Sequence, residues 1–440
     1  MNAVVCVTII LVSLLLVLKT VLISGSRKES SRKLVHIVMG TLCLSFPWIF
    51  KSCLPVTVLA ILVAITLCVL KQKKSPLVQE VLFTVKRRSY GELLFPLSVA
   101  LIFYLAQSHL VLYLVPIAVL AYGDSAAALI GERFGKSLLR LEHGKKSLEG
   151  SLAFFTTSFL ASVLILTGYD IAGGAGTSPQ LFLIAILLSL MIACVATVIE
   201  AISFAGLDNL FVPLSVFTVL QTTLGKPMQS LVLELAVLFI CTIVVLYLKG
   251  QTTLKDGAAG LALSYSYIAL VTGGVPFIII PVLLLAVYPL LLPRRFRLAA
   301  PVHGDAAIYS VIFAGLVFLA LVGHFSLPTI LSAYSLAFAL HGSIIASAHI
   351  HFDGARNQKL ILVTLNALKS WALLYLPLAC LVSNHIDLGQ LLLSPLFVIL
   401  PSLFYLVSVR RGDVTNSGQR WLKQSALASF GSLCFFCFVL

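Results

Sequence analysis

Charge is what this sequence has least of. Only 10% of its 440 residues are Asp, Glu, Lys or Arg, while 60% are hydrophobic. A soluble domain carries about a quarter charged residues, so the composition excludes a water-soluble fold. Its apolar stretches also lack period-2 alternation, which excludes a membrane β-barrel and leaves helices as the spanning element. No basic stretch precedes the apolar run from Ala3 to Ile23. A cleavable leader has a basic start and a shorter apolar core, so this run reads as a retained first span. Neither a clear internal repeat nor a low-complexity linker is present. The nine cysteines are mostly isolated in apolar spans. Cys434 and Cys437 form a CxxC inside an apolar run and read as packing residues, not a metal or redox pair.

What the chain has instead is a succession of apolar runs, each long enough for a helix to cross the hydrocarbon. They predict an all-α, polytopic transmembrane helix bundle of about 14–16 spans. Five of the predicted spans are 92–106, 110–130, 151–168, 180–199 and 210–223. A composition boundary near Lys249–Lys255 divides the chain into parts 1–250 and 251–440.

The net charge is +14. Nucleic acid is the wrong partner to infer from it, because Lys and Arg gather in short loops between spans, on one side of the membrane. Those loops hold Arg27 to Lys33, Lys71 to Arg88, Arg133 to Lys146, Lys249 to Lys255, Arg294 to Arg297, Arg356, and Arg410 to Lys423. Lys51 and Lys226 are the exceptions. The asymmetry predicts that the basic loops are cytoplasmic and the N-terminus outside. A bacterial plasma membrane is the expected host.

The most polar loop region runs from Tyr122-Gly-Asp124 through Gly131, Gly135 and Lys136 to Gly144-Lys145-Lys146-Ser147-Leu-Glu149-Gly150. A carboxylate at the membrane end of a span is costly, and Asp124 is a functional candidate for that reason. Glycines let backbone approach a ligand, lysines neutralise phosphates, and Glu149 adds a second carboxylate. Together they suit a magnesium–nucleotide complex. The plainer reading is a positive-inside loop with helix-ending glycines. Gly131 to Ser137 superficially resembles a P-loop, but it is one residue short and follows a membrane helix instead of a strand.

A second constellation holds Glu200 at the end of an apolar run, then Gly206-Leu-Asp208-Asn209. Asp208 and Asn209 open the next span, where capping is the alternative role. A buried Glu200 costs energy unless paired or metal-bound. Two further polar stretches are Arg32-Lys-Leu-Val-His36 and Arg87-Arg-Ser-Tyr90-Gly-Glu92-Leu-Leu-Phe-Pro96. Here His36 also reads as a simple interfacial histidine, and Glu92 as a helix-face partner of Arg88.

In order, these four blocks resemble the phytol kinase, dolichol kinase and yeast-type diacylglycerol kinase family over roughly residues 30–225. The resemblance implies CTP as phosphoryl donor, Mg²⁺, and a membrane-dissolved long-chain isoprenoid alcohol as acceptor. Carried onto this sequence, it implies catalytic roles for Asp124, Glu200, Asp208 and Lys146. Nucleotide contacts fall to Arg32, His36, Gly131, Gly135, Lys136, Gly144, Lys145, Lys146, Ser147 and Asn209. Metal ligation falls to Asp124, Glu149 and Asp208, and Tyr90 and Glu92 serve substrate or structure. Residues 124–150 also resemble the phosphatidate cytidylyltransferases, but the later Lys-Asp…Gly-His-Gly-Gly signature of those enzymes is missing.

The second part resembles the plant phytyl-phosphate kinase family faintly, at Thr253 to Gly257 and at Arg356 to Gln358. His303, Asp305, His349, His351 and Asp353 are further candidates there for a second phosphorylation. A packing or scaffold role is the competing reading, and a transporter would require repeated halves that are not seen.

Overall fold

A computed structural model of the chain describes residues 28–72, 91–107, 109–139, 146–173, 178–203, 206–251, 256–291, 312, 315, 317–319, 321–353, 359–381, 388–408 and 417–440. Among these residues the backbone is helical almost throughout. Extended pairing is confined to two isolated bridges, Leu138 with Ser147 and Val322 with Phe325. The protein is an all-α bundle, as the apolar runs predict.

Among the described residues, seven helices are long and apolar enough to cross a membrane, and five shorter apolar helices accompany them. The protein is therefore a multi-pass integral membrane protein. The predicted run 3–23 and most of a run at 306–323 lie outside the described residues. Other runs form helices shorter than a full crossing, such as Gly91–Ala106.

The chain divides into two compact units, Met1–Val237 and Leu238–Leu440. The first contains α1 (Lys28–Leu44), α2 (Phe46–Ile49), α3 (Cys53–Gln72), α4 (Gly91–Ala106), α5 (Leu110–Phe134), α6 (Leu148–Ala172), α7 (Pro179–Ile202) and α8 (Asp208–Thr223). Helix α9 (Met228–Gln251) carries the division. Local signals explain the helix starts. Ser147 caps α6 by accepting from the Gly150 N–H at 3.1 Å. Ser178 caps α7 by accepting from the Leu181 N–H at 3.1 Å, and Pro179 follows in the first turn, where its missing N–H costs nothing.

Helix α5 is the centre of this unit, with 78% of its most apolar stretch buried. Helix α1 crosses it closely. A Cβ on Gly40 would fall 2.2 Å from the Cβ of Ala121, so only glycine fits. The Tyr113 hydroxyl donates to the Cys43 carbonyl at 2.8 Å, and Thr41 and Tyr122 share a 3.0 Å hydroxyl contact, stitching the crossing.

The second unit holds α10 (Asp256–Gly273), α11 (Val275–Leu291), α12 (Leu327–Asp353), α13 (Lys359–Ala379), α14 (Leu388–Ser408) and α15 (Ser417–Val439). Helix α12 is its axis: 94% of its most apolar stretch is buried, against 22% for α14. Its core is built on Tyr334, Phe338, Phe277, Phe318, Tyr375 and Phe435. Cys434 and Cys437 are exposed on α15.

Candidate functional site

Asp124 lies well inside α5, about 15 Å along the helix from Phe134 at 1.5 Å per residue. Immediately before it, Val119–Gly123 forms a π-turn. Such a turn widens the helix, and π-turns recur at functional sites. Asp124 is 8% exposed. Its Oδ2 accepts from the Lys33 ammonium at 2.6 Å and lies 3.4 Å from His36 Nε2. The same Nε2 lies 3.3 Å from the Leu120 carbonyl inside the π-turn, and the His36 ring packs on Phe95 with centroids 4.6 Å apart. Lys33 and His36 stand three apart on α1 and so share a face. Helix α1 thereby sets the Lys33 ammonium and the His36 ring against one carboxylate oxygen of α5, with the His36 hydrogen bond going to the Leu120 carbonyl.

A second node joins the entry of α6 to the end of α7. The Lys146 ammonium donates to Glu200 Oε1 at 2.5 Å and also to the Glu200 carbonyl. Glu200 is 5% exposed. Burial works against the charge on Lys146, but Glu200 first and Asp208 next overcome it and hold the ammonium above its ordinary value. The fields of Asp208 and Asp124 also act on Glu200, so the two nodes and Asp208 form one electrostatic neighbourhood.

Asp208 and Asn209 do not cap α8. Leu207 occupies the cap position, with no side-chain cap hydrogen bond. Instead, Asp208 Oδ1 and Asn209 Oδ1 are buried without a hydrogen-bond partner. Buried acceptors left unpaired are rare and ask for a reason. No group of three His, Cys, Asp or Glu placed to share a metal ion occurs among the described residues. The donor chemistry here is nonetheless all hard oxygen, and two of the oxygens lack partners. That suits Mg²⁺, which is commonly held by one or two protein oxygens and completed by phosphates and water.

The loop between α5 and α6 closes as a small hairpin neck. Leu139 N–H donates to the Lys146 carbonyl and Leu148 N–H to the Ser137 carbonyl, each at 2.9 Å. Glu149 takes the Ser137 N–H on both carboxylate oxygens, at 3.1 and 3.2 Å. In this arrangement Glu149 ties the loop. Gly135 is required by packing, since a Cβ would meet the Gly131 carbonyl at 2.3 Å and Ser147 Oγ at 2.7 Å. Gly131 faces the same Ser147.

The structure thus brings together Asp124, Lys146, Glu200, Asp208 and His36, with Arg32 near enough for its charge to act on Asp124. Lys136 is exposed on the loop. Gly131, Gly135, Ser147 and Glu149 serve the loop and its packing. Gly144, Lys145 and Tyr90 lie outside the described residues, as do the Glu92 side chain, His303, Asp305 and Arg356. The residue that sequence reasoning passed over is Lys33. Its signal was the spacing to His36, which puts both on one helical face.

By sequence the chain is 31% identical over 199 residues to a phytol kinase of Synechocystis sp., a match spanning 44% of this chain and 78% of that protein. No family model matches the chain, and no solved structure matches it.

Proposed function

We propose that this chain, which belongs to the phytol kinase family, transfers the terminal phosphoryl group of CTP to the hydroxyl of a long-chain isoprenoid alcohol of the phytol kind. One observation carries the reading: two buried carboxylates, Asp124 and Glu200, each paired with a lysine, share a neighbourhood with the partnerless Asp208 oxygen. A buried ion pair is a poor way to hold helices together, because desolvation offsets most of the attraction. Inside a membrane such charges mark function.

In the proposed reaction the alcohol oxygen attacks the γ-phosphorus. The bond from that phosphorus to the β,γ-bridging oxygen breaks, CDP leaves with the electron pair, and the hydroxyl proton passes to a carboxylate of the node. Lys33 and Lys146 offset charge developing on the transferred group, and the fixed helices supply positioning and electrostatic stabilisation. Asp208 and Asn209 are the residues that would hold Mg²⁺. When bound, the ion would supply charge neutralisation at the phosphates. The lipid tail stays in the bilayer, and the basic loops support a site opening to the cytoplasm.

The test uses purified protein in detergent with Mg²⁺, γ-labelled CTP, and phytol, geranylgeraniol, dolichol or diacylglycerol. Label appearing in one isoprenoid alcohol supports the reading. Transfer to diacylglycerol alone moves the substrate class. Intact CTP with every acceptor sinks the kinase assignment, and label entering lipid only from α-labelled CTP replaces it with cytidylyl transfer.

A further inference from the structure

The cations around the site are graded by depth. Lys136 is exposed on the loop. The Lys146 side chain is 22% exposed and that of Lys33 only 6%. Position along the helices agrees: Glu200, the partner of Lys146, stands two residues from the end of α7, whereas Asp124, the partner of Lys33, lies about 15 Å along α5 from its end. Two substrates with opposite solubilities must meet on this gradient. A nucleotide comes from water, and a prenol keeps its tail in hydrocarbon.

Resting on the kinase reading above, we infer that Lys33 seats the terminal phosphate of the nucleotide. The nucleoside then lies toward Gly135 to Leu139 and Lys146, and the transferred group lies at Asp124. The inner cation is the one that an acceptor anchored in the bilayer reaches. Without nucleotide, Asp124 serves as the counter-charge for Lys33, and the more highly charged phosphate replaces it as partner. His36, fixed by its hydrogen bond to the Leu120 carbonyl, stands 3.4 Å from the same Asp124 oxygen, so a polar neighbour stays beside the carboxylate when Lys33 turns to the phosphate. Asp124 is then the carboxylate beside the acceptor hydroxyl. It takes the hydroxyl proton as the new O–P bond forms and CDP departs.

The experiment compares CTP with CDP, which lacks only the group that Lys33 is assigned to hold. Equilibrium binding of each is measured on the full chain in detergent, for the unaltered protein, Lys33→Gln and Lys136→Ala. A charged hydrogen bond to phosphate corresponds to roughly tenfold or more in affinity. The unaltered protein is expected to favour CTP over CDP by about that factor. Lys33→Gln should abolish the preference while leaving CDP binding within about twofold, and Lys136→Ala should weaken both nucleotides alike. Parallel loss of CTP and CDP in Lys33→Gln overturns the assignment and leaves the kinase reading standing. Failure of the unaltered protein to bind CTP sinks the kinase reading itself.

Should Lys33→Gln not fold, photolabelling of the unaltered protein decides. A γ-phosphate-tethered azido-CTP should mark α1 or the Asp124 stretch of α5, and a base-tethered azido-CTP should mark Gly135 to Leu139 or Lys146. The reverse pattern overturns the orientation.

Discussion

Each unit contains a helix interrupted by a π-turn, and what surrounds the two turns differs. In α5, Val119–Gly123 leads directly into Asp124, which is met by Lys33 and His36. In α13, Trp371–Tyr375 is met by neutral groups: Trp371 Nε1 donates to Ser394 at 2.9 Å, Tyr375 and Ser332 share a 3.1 Å contact, and Ser370 donates to the Ala339 carbonyl at 2.6 Å. The contrast extends across the units. Among the described residues, the buried charged side chains are Lys33, Asp124 and Glu200, all in the first unit, whereas the second buries serines, His341, Asn366 and Gln424. Neutral hydroxyls bonded to carbonyls are a modest expense in a membrane helix, while charges are a large one. Buried charge thus sets the described interior of the first unit apart from that of the second.

The strongest way to break this comparison is at Asp124. Asp124→Asn keeps the shape and removes the charge that pairs with Lys33 and that the proposed reaction uses. Transfer from CTP should fall by about a thousandfold or more, with the helical spectrum and elution in detergent retained. A matching change in the second unit, Ser343→Ala, breaks the 2.7 Å contact between Ser343 and Ser402 and should leave turnover unchanged. Equal losses from the two substitutions would show that the first unit's charges are structural.

Next in size is Glu200→Gln. Lys146 then keeps the Glu200 carbonyl but loses the carboxylate, so turnover should drop about a hundredfold. The part-buried ammonium loses its main counter-charge, and stability should fall by roughly 1–2 kcal/mol. Thermal unfolding and initial rates on the same preparation separate the two effects. A rate within about twofold of the parent would remove Glu200 from the site.

The Lys146 pair also sets a pH signature. The folded protein holds this ammonium above its ordinary value because of Glu200 and Asp208. The stabilisation is therefore complete below the ordinary lysine pKa, about 10.4, and is lost as pH rises through the elevated folded value. The melting temperature of the parent minus that of Lys146→Met should not shrink from neutral pH to about 10 and should fall only above it. A difference that decays between pH 7 and 9 would mean that Lys146 is not held by carboxylates.

How much of this was legible in the sequence follows from what each feature depends on. Helices were legible because the hydrocarbon forbids other spanning structures, and the lipid-facing stretches carry that signal at every turn. Asp124 and Glu200 were legible because a carboxylate in an apolar run has no cheap explanation. Their partners were not. Lys33 meets Asp124 across 91 positions of sequence, and only the crossing at Gly40 and Ala121 brings them together. Glu149 was read as a metal ligand from its residue type and position. That its carboxylate closes on the Ser137 N–H depends on the loop's hairpin neck, which no local pattern announces. The same limit applies to Asp208 and Asn209, which were readable as helix caps until Leu207 proved to hold the cap position.

The smallest effect tests the other side of the comparison, at Tyr334. Its hydroxyl accepts from Tyr265 at 2.9 Å and donates to the Phe277 carbonyl at 3.0 Å, deep in the core around α12. Tyr334→Phe removes both bonds and keeps the ring, so the contacts with Phe277 and Phe338 survive. Hydrogen bonds between membrane helices average about 0.6 kcal/mol and reach about 1.7, so two of them set an expected loss of about 1–2 kcal/mol. Measured by unfolding in mixed detergent, that loss should come with unchanged turnover per folded molecule. If turnover fell while stability held, the Tyr265–Tyr334 pair would be working in chemistry instead of packing. The second unit's neutral interior would then need the functional account that the first unit's charges already require.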